Sequence, residues 1–207
     1  QDARSCRNFH ATNLVPPGTL TLSSTASIQF FSGLNCVSPL TNGMVAVDET
    51  RTLSFRPETY GVLTVGASGP FGASPSAFSV SAQARVQAPR SLPGGPCVAI
   101  DLQAVVPGTS TNLSGGPATL LVSVTGPGSN FVYPTSGCPS GGAQSITVQM
   151  DGGTAQVFAP LQLNSQSTFT VSTPGSDPTV FPTHSFTLLC DGAGGCSCST
   201  TQGACRP

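Results

Sequence analysis

Apolar residues in this chain recur at every second position and almost never at helical spacing. Alternation with period two puts one face of a segment in a core and the other in water, which is the signature of a half-buried strand. It appears in "TLTLSS" (Thr19–Ser24), "SIQF" (Ser27–Phe30), "MVAV" (Met44–Val47), "TLSF" (Thr52–Phe55), "VLTV" (Val62–Val65) and "FSVSA" (Phe78–Ala82). The second half carries "VAIDLQAVV" (Val98–Val106), "TLLVSV" (Thr119–Val124), "NFVY" (Asn130–Tyr133), "SITVQM" (Ser145–Met150), "AQVFA" (Ala155–Ala159), "TFTVS" (Thr168–Ser172) and "SFTLL" (Ser185–Leu189). Between them stand 24 Gly and 19 Pro, which interrupt every window long enough for a helix. Many short strands separated by turn residues predict an all-β chain of sandwiches or barrels.

The halves also resemble each other. Cys6 and Cys97 each precede a Pro-Gly turn, at Pro16–Gly18 and Pro107–Gly108. Cys36 and Cys138 each follow an apolar run and a Ser/Gly turn. "MVAV" then aligns with "SITV", "TLSFRP" with "QVFAP", "GVLTVGAS" with "STFTVSTP" and "AFSVS" with "SFTLL". Order is kept and gaps fall in turns. The division expected is a first sandwich over 1–88, a semi-rigid linker over 89–96, a second sandwich over 97–190 and a cysteine-rich tail over 191–207.

These motifs resemble the tandem bacterial immunoglobulin-like (Ig-like) repeats of secreted and cell-surface proteins. The first copy supplies "IQFFSGLNC", "MVAV", "LSFRP" and "YGVLTVGAS", and the second "FVYPTSGC", "SITV", "QVFAP" and "STFTVST". Ser167 stands where the resemblance expects a glycine. The resemblance implies two tandem Ig-like antiparallel β-sandwiches acting as spacer, stalk or fibre element, with no catalytic residue to carry over.

All eight cysteines are read as disulfide partners. An even count with no Cys-x-x-Cys pair fits an oxidising compartment. The repeat makes one staple per sandwich economical: Cys6–Cys36 and Cys97–Cys138. Each closes a loop whose constraint is worth roughly 3–4 kcal/mol. In the tail, Cys196 and Cys198 are too close to pair with each other, so each should reach Cys190 or Cys205, in either arrangement. A four-thiolate zinc or copper site is the rival reading, but its spacing is unlike paired Cys-x₂₋₄-Cys knuckles.

Charge narrows function further. Charged residues make up 7% of the chain, against a usual share of about 25%, and the formal net charge is −1. No field favours nucleic acid or an anionic membrane, and no apolar run approaches the roughly 20 residues of a membrane span. Of the two histidines, His10 and His184, each is expected to be exposed at a turn or strand edge. The carboxylates Asp2, Asp48, Glu49, Glu58, Asp101, Asp151, Asp177 and Asp191 are scattered rather than paired for acid–base work. No Gly-x-Ser-x-Gly elbow or calcium-loop motif occurs. "MDGG" (Met150–Gly153) predicts a type I′ hairpin turn, and "GAGG" (Gly192–Gly195) a flexible stretch of tail.

The expectation is therefore a non-enzyme that needs no cofactor, extracellular or at the cell surface, with any signal peptide already removed. Its partners would be copies of itself, other surface proteins or glycans, with no nucleic acid and no membrane insertion. A structural or adhesive role leads, with self-assembly into a fibre by β-strand addition and Gln1–Leu22 as the donor segment. The alternative is a monomeric module that binds glycan or protein.

Overall fold

The computed structural model describes residues 2–11, 18–47, 51–69, 76–174, 180–199 and 204–206. The chain divides into two compact units, Gln1–Ala82 and Gln83–Pro207. Apart from a 3₁₀ turn at Thr41–Gly43, every described element is a strand. No helix among the described residues is long and apolar enough to cross a membrane.

The first unit contains β1 (Arg7–Ala11), β2 (Gly18–Ser24), β3 (Ile28–Ser32), β4 (Ser38–Pro39), β5 (Met44–Val47), β6 (Arg51–Pro57), β7 (Gly61–Ser68) and β8 (Ser76–Ala82). They form two antiparallel sheets, in the orders β1-β6-β3-β4 and β5-β2-β7-β8. Alternation sets what each sheet buries. Leu20, Leu22, Val45 and Val65 come from one sheet and Phe30, Leu53 and Phe55 from the other, and together they make one core. Full burial of each such side chain is worth about 1.5–3 kcal/mol against leaving it in water. Two sheets sharing a core in this way are an antiparallel β-sandwich.

The second unit contains β9 (Arg85–Gln87), β10 (Ser91–Pro93), β11 (Gly95–Val105), β12 (Ala118–Thr125), β13 (Ser145–Met150), β14 (Thr154–Leu161), β15 (Ser165–Ser172), β16 (His184–Cys190) and β17 (Gly195–Ser199). Its sheets run β14-β11-β9 and β10-β17-β16-β15-β12-β13. Inward residues alternate here too: Ile100, Leu102, Leu120, Val122, Val157, Phe169, Val171 and Leu188 are all fully buried.

The strand orders of the two units correspond. β5-β2-β7-β8 is matched by β13-β12-β15-β16, and the β1-β6 pair by β11-β14. Where the first unit has β3 beside β6, the described residues of the second place Tyr133 there, which exchanges backbone hydrogen bonds with Phe158 at 2.8 and 2.9 Å. The predicted strand Asn130–Tyr133 therefore shrinks to isolated bridges, and Pro134, with no N–H, stops it from growing. The second unit adds β9 next to β11, and β17 followed by β10 beyond β16.

Those additions redraw the expected boundaries. Val86 in β9 pairs with Ala104 in β11, so residues expected at the end of the first sandwich join the second unit. The stretch 89–96 is sheet rather than linker: β10 pairs with β17, and its Pro93 is tolerated because β10 lies at the sheet edge. The expected tail carries β17, which pairs with β16 from Thr187–Ser199 to Cys190–Cys196. "GAGG" is an ordered turn between them, in which Asp191 Oδ1 accepts from the N–H groups of Ala193 and Gly195. The turn in "MDGG" has Gly152 and Gly153 at φ +56° and +91°, with Asp151 and Thr154 exchanging backbone bonds around them. That is the type I′ geometry, which matches strand twist and needs two positive φ angles. The turn at Pro16–Gly18 lies largely outside the described residues.

Candidate functional site

Every cysteine in the chain is paired. Disulfides join Cys6–Cys36, Cys97–Cys138, Cys190–Cys196 and Cys198–Cys205, and no cysteine is free. All four sulfurs expected in the tail are thus oxidised, and a four-thiolate metal site has no ligands left.

The first two bridges occupy corresponding places. Cys36 and Cys138 both lie at positive φ, +52° and +41°, each after a glycine also at positive φ, Gly33 or Gly137. The left-handed conformation costs a residue with a β-carbon about 1–2 kcal/mol, so each clamp holds its loop in a conformation the sequence alone disfavours. In the first unit that loop lies over the outer face of β6. The Cys36 N–H donates to Ser54 Oγ at 3.1 Å, and Ser54 is fully buried although it points away from the core. In the second unit Cys97 sits where the β11–β14 register shifts between Gly95 and Val98.

The titratable groups are engaged elsewhere. His10 is exposed on edge strand β1, its Nδ1 3.0 Å from Thr52 Oγ1. His184 departs from expectation. It is 6% exposed, at the start of β16, with Nδ1 2.9 Å from the Pro182 carbonyl and Nε2 2.6 Å from the Val86 carbonyl. Burial by β9, a strand 98 positions away, is what its local sequence does not announce. Burial pushes its pKa down, against an upward pull from the two carbonyls. Both nitrogens face backbone oxygens, so neither faces a serine hydroxyl.

Glu58 pairs with Arg56 at 2.8 Å and with Arg4 at 3.4 Å. Asp101 accepts from Gln156 Nε2 at 2.7 Å. Asp151 and Asp191 serve turns. Asp48, Glu49 and Asp177 lie outside the described residues. Among the described residues no three His, Cys, Asp or Glu side chains cluster as metal ligands would.

Concavities and several sheet edges remain. A cleft of about 400 Å³ in the first unit is lined by Ser23, Ser24, Gln29, Asn42 and Glu58 together with Leu22, Ile28, Phe30 and Leu40. An apolar groove of about 550 Å³ in the second lies between Gly94–Pro96, Pro160–Leu163 and Gly194. The described parts of the expected donor segment Gln1–Leu22 are built into their own sandwich: Cys6 is bonded to Cys36, and β2 is a central strand whose Leu20 and Leu22 lie in the core. Withdrawing it would open the core and strain the clamp.

The sheet edges among the described strands are β1, β4, β5 and β8 in the first unit and β9, β10, β13 and β14 in the second. At β8, Phe78 is 40% exposed although it packs on Phe9 and Phe55 at 5.9 Å. Sequence reasoning passed over β8 as a surface. Its signal was an uninterrupted "SAFSVSA" with neither charge nor proline.

No known protein family matches the chain, and no curated protein matches it. Among solved structures it is similar to a C-terminal 282-residue fragment of intimin in complex with the translocated intimin receptor's intimin-binding domain. That match has 10% identity and a TM-score of 0.34, and covers 90% of this chain and 58% of that one. It is similar to the D0-D1 domain of intimin at 11% identity and a TM-score of 0.31, covering 89% and 91%. A β-glycosidase from Bacteroides vulgatus gives 13% and 0.34, covering 91% of this chain and 25% of that one. Likeness at this level fixes neither ancestry nor activity.

Proposed function

We propose that the chain is a non-catalytic, extracellular structural or adhesive module, built from two copies of one disulfide-clamped sandwich. The carrying observation is the pair of corresponding clamps, Cys6–Cys36 and Cys97–Cys138, in two units of matching strand order with no free thiol. Bridges of this kind persist in oxidising surroundings. A chain with only 7% charged residues offers little self-repulsion, so neighbouring molecules can pack edge to edge. In its finer form the reading is self-association by strand addition, extending to an extracellular fibre.

Counting thiols in denaturant on protein from its native source tests the compartment. No free thiol is expected; several would overturn it. Negative-stain images of concentrated protein test the fibre, and particles that stay single would remove it. A second reading, a glycan-binding module, is favoured by the first unit's cleft, where Gln29, Asn42 and Glu58 stand beside apolar Ile28 and Phe30. Glycan-array binding lost in Glu58→Gln would support it over the structural role.

A further inference from the structure

We infer that the outer face of the second unit's six-stranded sheet is a docking platform for an uncharged polysaccharide. The inference rests on the adhesive reading above and names what the module adheres to.

Register builds this face. Buried and outward residues alternate along β12, β13, β15 and β16, and directly opposed partners share a side. One row of outward partners runs Ser145, Ser123, Thr170 and Ser185, across β13, β12, β15 and β16. A second runs Thr125, Thr168, Thr187 and Ser199, across β12, β15, β16 and β17. Every side chain in both rows ends in a hydroxyl, and all are exposed or half-buried. Thr168 Oγ1 lies 3.0 Å from Thr187 Oγ1, and Thr170 Oγ1 2.9 Å from Ser185 Oγ. The other outward positions of these strands add more hydroxyls, with Gln149, Gln166, Leu121 and Leu189, and no charge.

Strand propensity does not account for the rows. Threonine suits any strand, and the same unit offers a control in its three-stranded sheet. The outer side of that sheet carries Asp101, Gln103, Gln156 and Phe158, and on β11 and β14 its outward hydroxyl is Thr154 alone, beside a turn. The corresponding sheet of the first unit breaks its hydroxyls with Met44, Val62 and Gly66. Uninterrupted rows therefore belong to one face rather than to the composition of the chain.

The chemistry of the face selects its occupant. Without Lys or Arg it has nothing to neutralise the phosphates of nucleic acid or anionic lipid. Protein interfaces draw on aromatic, Met and Arg side chains and are poor in Ser, the reverse of these rows. Each hydroxyl donates one hydrogen bond and accepts two. Its complement is a ligand whose groups also do both and carry no charge, which describes the hydroxyls of a neutral sugar chain. A row across four strands spans about 14 Å, room for several such contacts along one chain. Each bond is exchanged for one with water and gains little. Binding therefore grows with the number of contacts, and a polymer is held where a single sugar is not.

Depletion of the intact oxidised chain from solution by polysaccharide beads provides the test. Cross-linked dextran and amorphous cellulose are the uncharged probes, and carboxymethyl-dextran is the anionic one. Wild type is expected to be retained by at least one uncharged polymer, equally at about 0.1 and about 1 M salt, because no ion pair is involved. Thr168→Val, Thr170→Val and Thr187→Val together delete three hydroxyls and keep the β-branched shape. They should weaken retention by about tenfold or more, with the circular dichroism unchanged. Gln156→Ala, on the other sheet, should not. Retention by neither uncharged polymer, or by carboxymethyl-dextran alone, would overturn the inference, while the thiol count and the images still judge the module itself. Retention lost in Glu58→Gln and kept in the triple variant would overturn this face and move the glycan to the first unit's cleft.

Discussion

The two units share a strand order and differ in how they end. In the first, both sheets stop at β1 and β8, and the aromatic cluster at that side stays half-open: Phe78 is 40% exposed, and Phe9 is half-buried beside it. In the second, β9 extends one sheet and β17 with β10 the other. The counterpart of Phe78 in strand order, Phe186 in β16, stacks on its cross-strand neighbour Phe169 at 5.3 Å with both rings almost wholly buried. Extra strands have sealed a core that the shorter unit leaves ajar. The second unit also holds three disulfides against one. Extension and cross-linking therefore go together, because β17 brings little apolar surface of its own and is fastened covalently instead.

Truncating the aromatics should give the largest effect and the clearest contrast. Phe169→Ala leaves a cavity in a closed core and should cost about 3–5 kcal/mol. Phe78→Ala removes a ring already partly in water and should cost about 1–2 kcal/mol. Hydrogen exchange resolved by segment, with denaturant, reads the two units separately. Equal losses would mean that the two sides are equally sealed and would break the comparison.

The clamps come next. Replacing Cys6 and Cys36 together by Ser opens a loop with a sequence separation of 30 and should cost the first unit about 3–4 kcal/mol. Replacing Cys190 and Cys196 opens one with a separation of only 6, and the loss should be about 2 kcal/mol, felt first as fraying of β17. If the second pair costs more than the first, β17 supports the core beyond its loop entropy, and the sealing role assigned to it is sharpened.

This difference also explains what could be read in the sequence. Strands that fill a core announce themselves: Leu20 and Leu22, Leu53 and Phe55, and Leu120, Val122 and Val124 alternate as a buried face must. Strands that extend a sheet do not. β17 is "GCSCS", whose inward residue is Cys196, and β10 is "SLP", three residues with a proline. Their place is set by disulfides and by partners far along the chain, so composition reads them as tail and linker. β1 was illegible for a related reason, since "RNFHA" offers only Phe9 and Ala11 to the core. Clamp positions were legible because repetition, rather than local propensity, marked Cys36 and Cys138.

His184 belongs to the same seam and gives the smallest predicted effect, one of slope rather than size. It opens β16, and its Nε2 meets the Val86 carbonyl of β9, so it ties one extended sheet of the second unit to the other. Burial lowers its pKa below the ordinary 6.5, ahead of the upward pull of two carbonyls, and Arg85 pushes the same way as burial. The folded state then prefers the neutral ring, while the unfolded chain takes up a proton near 6.5. Stability from this group is complete above that value and is lost as pH falls from it toward the depressed folded value. Urea midpoints measured between neutral and mildly acidic pH should therefore drift down in wild type. His184→Gln keeps an N–H for Val86 but cannot titrate, so its drift should be shallower than the wild-type one. A steeper or reversed drift would mean that the two carbonyls hold an imidazolium instead, and that the sealed side of the second unit tightens in acid.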